Sequence, residues 1–160
     1  LVQHMPKGFT ASLAMRLNSL SKAVVKEAED GEVIEKGHVY IAPGGMHIII
    51  AQSGKNHVIR YSDQPPVDGL RPCANIMFES LSDTDYDDIT CVVLTGMGAD
   101  GTKGIQSLVD KGRRVHVIAQ DAESCIVYGM PRAIAEAGLA NEIQPLNKIS
   151  ESIIKNVGVM

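Results

Sequence analysis

The chain has no apolar run approaching the roughly 20 residues of a membrane-spanning helix. No secretory signal is visible. Positive charge is not in excess: the net charge is −4 and the isoelectric point about 5.7. That balance argues against nucleic acid or an anionic membrane as the main partner. Only three cysteines occur, Cys73, Cys91 and Cys125, widely spaced in apolar surroundings. An odd, scattered set reads as reduced thiols rather than a disulfide framework. The expected location is the cytoplasm. His38, His47 and His57 fall in strand-like sequence without metal-ligand spacing and read as half-exposed strand residues. No internal repeat, low-complexity tract or interdomain linker is present.

What is present is ordinary globular composition, 44% hydrophobic and 21% charged over 160 residues. This suits a single domain, residues 1–160, with a sizeable core. Its centre is Val92–Gly104, where an apolar run beginning at Cys91 meets a glycine-rich turn and then a helical pattern through Ile105, Leu108 and Val109. Such a turn, at the carboxyl edge of a buried strand, is where open α/β folds place their chemistry. Asp100 stands in it. Three roles compete for this carboxylate. It can cap the following helix. It can belong to a dinucleotide site, since Gly96, Gly98 and Gly101 spell G-x-G-x-x-G and Asp121 follows about 20 residues later. It can orient a histidine in a hydrolase triad. The dinucleotide role sets two anions competing for the same amide donors at one helix terminus.

Along the chain, Leu1–Gln3 reads as the end of a strand, which puts His4 in a second strand-to-helix turn shaped by Pro6 and Gly8. Phe9, Leu13, Leu17 and Leu20 predict an amphipathic helix over residues 9–20. Val24–Ala28 and Val39–Ala42 read as strands. Met46–Ala51 and His57–Tyr61 flank a hairpin turn. Ser62–Pro72 is a long proline-rich loop, followed by a weak helix near Ile76–Leu81. The acidic run Asp83–Asp88 is no calcium loop, because position 6 is Asp88 rather than glycine and position 12 is Leu94 rather than glutamate. Val115–Ala119 and Glu142–Gln144 read as strands. An alanine-rich helix ends at Gly138, and a final helix carries Ile149, Ile153, Ile154 and Val157. The fold class expected is α/β: a doubly wound, mostly parallel, Rossmann-like three-layer sandwich. Helices lie on both faces, and an antiparallel hairpin is inserted.

Several segments then share one pattern. They are Gln3-His4-Met5-Pro6 with Gly8-Phe9-Thr10; Lys26-Glu27-Ala28-Glu29-Asp30-Gly31; Gly37-His38-Val39-Tyr40-Ile41-Ala42-Pro43-Gly44; Pro65-Pro66-Val67 with Arg71-Pro72; Leu94-Thr95-Gly96-Met97-Gly98-Ala99-Asp100-Gly101; Ala119-Gln120-Asp121; and Gly129-Met130-Pro131. In this order they resemble the catalytic domain of the bacterial chemotaxis methylesterases, the CheB family, over nearly the whole chain.

The resemblance implies a Ser-His-Asp hydrolase that demethylates glutamyl methyl esters on chemoreceptors and deamidates receptor glutamines. His4 matches the family histidine and Asp100 its aspartate. Met97 and Gly98 match the oxyanion-side lining, while Arg71, Gln120 and Met130 are candidates for the substrate cleft. No cofactor and no metal is implied. The implied partners are the cytoplasmic helices of methyl-accepting chemoreceptors and a receiver domain. Neither nucleic acid nor membrane insertion is implied. The family's serine lies in a Ser-Thr-Gly-Gly turn ahead of the histidine, and this chain holds no such motif. The expectation is therefore an amino-terminally truncated domain, inactive without its upstream serine. Ser124, near a carboxyl-edge loop, lacks the glycines of a nucleophile elbow. Leu70, Cys73 and Asn75 replace the family's usual His, Ser and Asp. The alternatives are a non-catalytic receptor-binding module and a dinucleotide-binding oxidoreductase using Gly96, Gly98 and Gly101.

Overall fold

The computed structural model describes residues 1–158. The chain gathers into two compact units, Leu1–Asp85 and Tyr86–Met160.

In the first unit, helix α1 (Phe9–Leu20) starts after Gly8, whose φ of 90° is a conformation that side-chain-bearing residues avoid. Ala14, with Leu13 and Leu17, packs on Val25, Val39 and Ile41. These last three belong to β1 (Val24–Glu27) and β2 (His38–Ile41), which pair in parallel with Val24 opposite His38. Parallel neighbours usually need a helical crossover. Here residues 28–37 make the connection without one, because their backbone groups bond to the next hairpin. Gly31 N–H donates to Ile59 O (2.7 Å), Ile59 N–H to Glu32 O (2.9 Å) and Ile34 N–H to His57 O (2.8 Å). Buried main-chain groups are thereby satisfied.

The hairpin is β3 (His47–Ser53) with β4 (Asn56–Ser62), antiparallel, turning at Gly54. Ile48 and Ile59 pack with Ala28, Ala42 and Met77, the last from α2 (Ala74–Ser80). The expected strand at Leu1–Gln3 is not a ladder strand. Leu1 alone docks beside β2, its nitrogen donating to Tyr40 O (2.7 Å) and its carbonyl accepting from Ala42 N–H (2.9 Å). His47 also departs from expectation. It is fully buried, accepts from Cys73 N–H at Nδ1 (3.2 Å) and donates from Nε2 to Pro65 O (3.1 Å). This histidine is a brace that fixes the long loop between β4 and α2.

In the second unit, β5 (Ile89–Val93), β6 (Val115–Gln120) and β7 (Glu142–Gln144) form a parallel sheet in that order. Helix α3 (Thr102–Asp110) connects β5 to β6, and α4 (Met130–Glu136) connects β6 to β7. Helix α5 (Leu146–Val157) packs on β5 and β6. Cys91, Ile105, Leu108, Val117, Ile118 and Ile134 are essentially solvent-free. Burying side chains of this size contributes roughly 1.5–3 kcal/mol each. Among the described residues the three cysteines form no disulfide, and burial pushes the Cys91 thiol up to about 12. The expected α/β class with mostly parallel strands and an antiparallel hairpin is what the structure shows.

At the far side of this sheet, Glu142 joins β7 to its neighbours. Its carboxylate accepts from Ser152 Oγ (2.9 Å), His116 Nε2 (2.8 Å) and Gln144 Nε2 (3.1 Å). These bonds, Ser152 first, hold its pKa below the ordinary glutamate value. A depressed carboxylate contributes stability above its unfolded pKa, and the contribution is lost as pH falls through the folded one. Glu142→Gln is therefore expected to lower Tm near neutral pH by roughly 2–4 °C, the effect of about 1 kcal/mol in a domain this size. At a pH below the carboxylate range the difference should vanish. Melting curves from about pH 2 to 7 check it.

Candidate functional site

In the first unit the site is the turn that carries His4. It lies between the docked Leu1 and α1, closed by Met5 N–H donating to Gln3 O (2.9 Å). Two features fix it. Gly44, just past β2, lies so close to the turn that a Cβ there would press on Pro6 O and sit 2.6 Å from Met5 O. Thr10, fully buried in the first turn of α1, donates from Oγ1 to Glu27 and accepts from Gly44 N–H (2.9 Å). The segments that looked related in the sequence thus meet here: the histidine turn, the start of α1, the end of β1 and the loop after β2. Arg71 lies in the long loop of this unit. Its carbonyl accepts from Gly45 N–H (3.0 Å), its guanidinium donates to Ser62 O (3.3 Å), and it faces Asp63 at 4.0 Å. The Leu70 position closes a small turn with Val67, and Cys73 is buried at the start of α2.

In the second unit Met97, Gly98, Asp100, Gln120 and Met130 gather at the carboxyl edge of β5 and β6. Asp100 is 6% exposed, one residue before the helix cap. The cap position itself is Gly101, at φ 97°. The start of α3 favours an anion nearby. Met97 is held outward, 82% exposed. The main chain just before Met97 is clamped. Gly96 N–H donates to Val127 O (3.0 Å), and Gly96 O accepts from both Gly129 N–H (3.1 Å) and Met130 N–H (2.8 Å). Thr95 Oγ1 both donates to Val127 O (3.1 Å) and accepts from Val127 N–H (2.9 Å). Two main chains approach so closely that a Cβ on Gly129 would lie 2.6 Å from Gly96 O and 2.9 Å from Gly98 N.

This geometry bears on three sequence readings, and on Ser124 it agrees with the expectation. Gly96 packs against Met130, whose Sδ would lie 2.5 Å from a Cβ there. Gly98 and Gly101 serve the turn instead, at φ 85° and 97°. Gln120, expected in a cleft, is instead 0% exposed with its amide bonded at both ends. Ser124 is not poised for attack. Its hydroxyl donates to Asp121 Oδ1 (2.6 Å) and accepts from Gln120 Nε2 (3.2 Å) and Leu146 N–H (2.9 Å), which uses all its capacity. Among the described residues, no group of three or more His, Cys, Asp or Glu is arranged to hold a metal ion, and no helix is long and apolar enough to cross a membrane.

Sequence reasoning missed Thr10 and Gly44 as supports, and Gly129 as the neighbour of the Met97 loop. The only signal was their presence in the shared segments. Which distant backbone each one meets is a tertiary fact that local pattern does not carry.

Comparison with known proteins matches this framework. A family model described as CheB methylesterase matches residues 1–153. A protein-glutamate methylesterase/protein-glutamine glutaminase of Desulfotalea psychrophila is 49% identical over 159 residues, covering 98% of this chain and 43% of that protein. One of the same name from Geobacillus kaustophilus is 46% identical, covering 98% of this chain and 45% of its own length. The chain thus spans less than half the length of these relatives. The crystal structure of the Thermotoga maritima CheB methylesterase catalytic domain superposes with a TM-score of 0.91 at 41% identity, covering 97% of this chain and 81% of that one. With the family model covering nearly all of it and relatives near half identical along its length, this chain belongs to the CheB methylesterase family.

Proposed function

We propose that residues 1–160 belong to one methylesterase-type catalytic domain which, once completed by a serine that these residues do not contain, hydrolyses glutamyl methyl esters on chemoreceptors and deamidates receptor glutamines. By the family pattern the nucleophile is a serine hydroxyl, which residues 1–160 do not supply in the matching turn. His4 takes the hydroxyl proton as Oγ attacks the ester carbonyl, then gives it to the departing methoxide, which leaves as methanol. Water, deprotonated by His4, then hydrolyses the acyl-enzyme to glutamate. Asp100 holds the imidazole tautomer and offsets the positive charge of the imidazolium. Main-chain N–H groups around Met97 and Gly98 steady the oxyanion. Arg71 and Met130 contribute to the substrate cleft. The partners are the receptor's cytoplasmic helices and a receiver domain, and the location is cytoplasmic.

The observation that carries this reading is the built loop Thr95–Gly101. It buries a carboxylate beside a helix start and clamps the adjacent main chain with bonds from residues 127–130. A pure docking surface has no need of a buried carboxylate set in so rigid a turn. The test is methanol release from a methyl-esterified receptor fragment by the full-length protein. His4→Ala is expected to reduce it at least about a hundredfold. Receptor binding without methanol release would instead favour the non-catalytic module.

A further inference from the structure

Gln120 ends β6 and is 0% exposed. A side-chain amide offers one acceptor oxygen and two N–H donors, and a buried one must place them all. Gln120 does. Its Oε1 accepts from Thr95 N–H (2.8 Å), just past the end of β5. Its Nε2 donates to Ser124 O (2.8 Å) and to Ser124 Oγ (3.2 Å), in the loop after β6. Ser124 in turn is fixed by Asp121, which accepts from its N–H (2.9 Å) and its hydroxyl (2.6 Å). Ser124 Oγ also accepts from Leu146 N–H (2.9 Å) at the start of α5. Asp121 N–H donates to Gln144 O (2.9 Å), the last residue of β7. One partly buried network thus joins the segments that follow all three strands, and the buried Gln120 is its centre.

Thr95 is the point where this network meets the candidate site. Its N–H is held by Gln120 and its hydroxyl by Val127, two residues before Met97 and five before Asp100. We infer that Gln120 is a positioning residue: its amide sets the placement of the loop 94–101, and through it the Met97 main chain and the Asp100 carboxylate. Glutamate in its place keeps the acceptor for Thr95 but loses both donors to Ser124. Methionine, of similar length, loses all three bonds. The catalytic consequence rests on the esterase reading above, but the placement of the loop does not.

The test uses the full-length protein with Gln120→Met, Gln120→Glu and the milder Ser124→Ala. Amide hydrogen exchange and methanol-release kinetics are both measured. In Gln120→Met, amides of residues 94–101 are expected to exchange at least about tenfold faster, while those of β5 and β6 keep their protection. Turnover should fall roughly 10- to 100-fold with KM within about threefold, the signature of misplaced rather than missing catalytic groups. Gln120→Glu should retain part of the protection at Thr95. Ser124→Ala should shift exchange in the same direction by less, and it serves alone if neither Gln120 variant folds. Unchanged exchange over 94–101 overturns the inference. So does faster exchange with unaltered turnover, or a raised KM with turnover intact, which would return Gln120 to substrate binding. If the wild-type protein releases no methanol, the esterase reading fails, and the exchange data alone decide whether Gln120 holds the loop.

Discussion

Asp100→Asn is expected to lower the turnover of the full-length protein about 10⁴-fold with little change in its fold, the loss typical of a triad aspartate turned into an amide. The two side chains are nearly the same size, and the site leaves little room for anything else, since Asp100 is 6% exposed. Its neighbours hold the main chain in place. Gly98 and Gly101 sit at φ 85° and 97°, and α3 begins directly after. On the proposed triad, what the change removes is the negative charge and the acceptor that would select one imidazole tautomer. An amide can present its N–H where the carboxylate oxygen stood, which favours the wrong tautomer and repels the imidazolium. KM should remain within a few-fold, because the charge acts on the transition state more than on the bound ester. Methanol-release kinetics with circular dichroism on both proteins check this. A loss below about tenfold would remove Asp100 from the reaction.

Gly129→Ala is the second large effect. The new methyl would meet Gly96 O at 2.6 Å, Gly98 N at 2.9 Å and Met97 Cα at 3.1 Å. All three are main-chain atoms, so no side chain can swing aside. Either Gly129 or the Met97 loop must move, and the bonds from Gly129 and Met130 to Gly96 O stretch with it. The expected cost is about 1–3 kcal/mol of stability. Turnover should fall by roughly a hundredfold, because displacement of about 1 Å is enough to misplace oxyanion donors. Gly96→Ala should cost less, since its nearest obstacle is the flexible end of Met130. Thermal unfolding and turnover of the two variants, measured together, give the comparison. Equal tolerance at both positions would mean that the loop is not clamped as described.

The regular elements were legible because their signals are local. Leucines three and four apart gave α1 at Phe9–Leu20, and a bounded apolar run gave β5 at Ile89–Val93 to within two residues. Strand β7 matched Glu142–Gln144. The last helix begins earlier than its apolar stripe, at Leu146, because Pro145 takes the cap position and the first turn faces solvent. The turn bearing Asp100 was legible as a site because a strand, a glycine-rich turn and a helix occur in sequence. What escaped were facts set by distant partners. His47 reads as a strand residue until the long loop folds over it. Gln120 reads as a cleft residue until the loops after β5 and β6 close above it. Gly96 reads as a phosphate-binding glycine until Met130 is seen against it. Each is polar or small for a reason that lies well outside its own local segment.

The central claim is that His4 and Asp100 serve one reaction as a unit, and a double-mutant comparison tests it most directly. Methanol release is measured for the full-length protein, for His4→Ala, for Asp100→Asn and for the two changes combined. Members of one catalytic unit are strongly non-additive, so the double variant should retain about the activity of His4→Ala alone, within roughly threefold. If the two losses instead multiply, His4 and Asp100 act independently, and the triad assignment is contradicted.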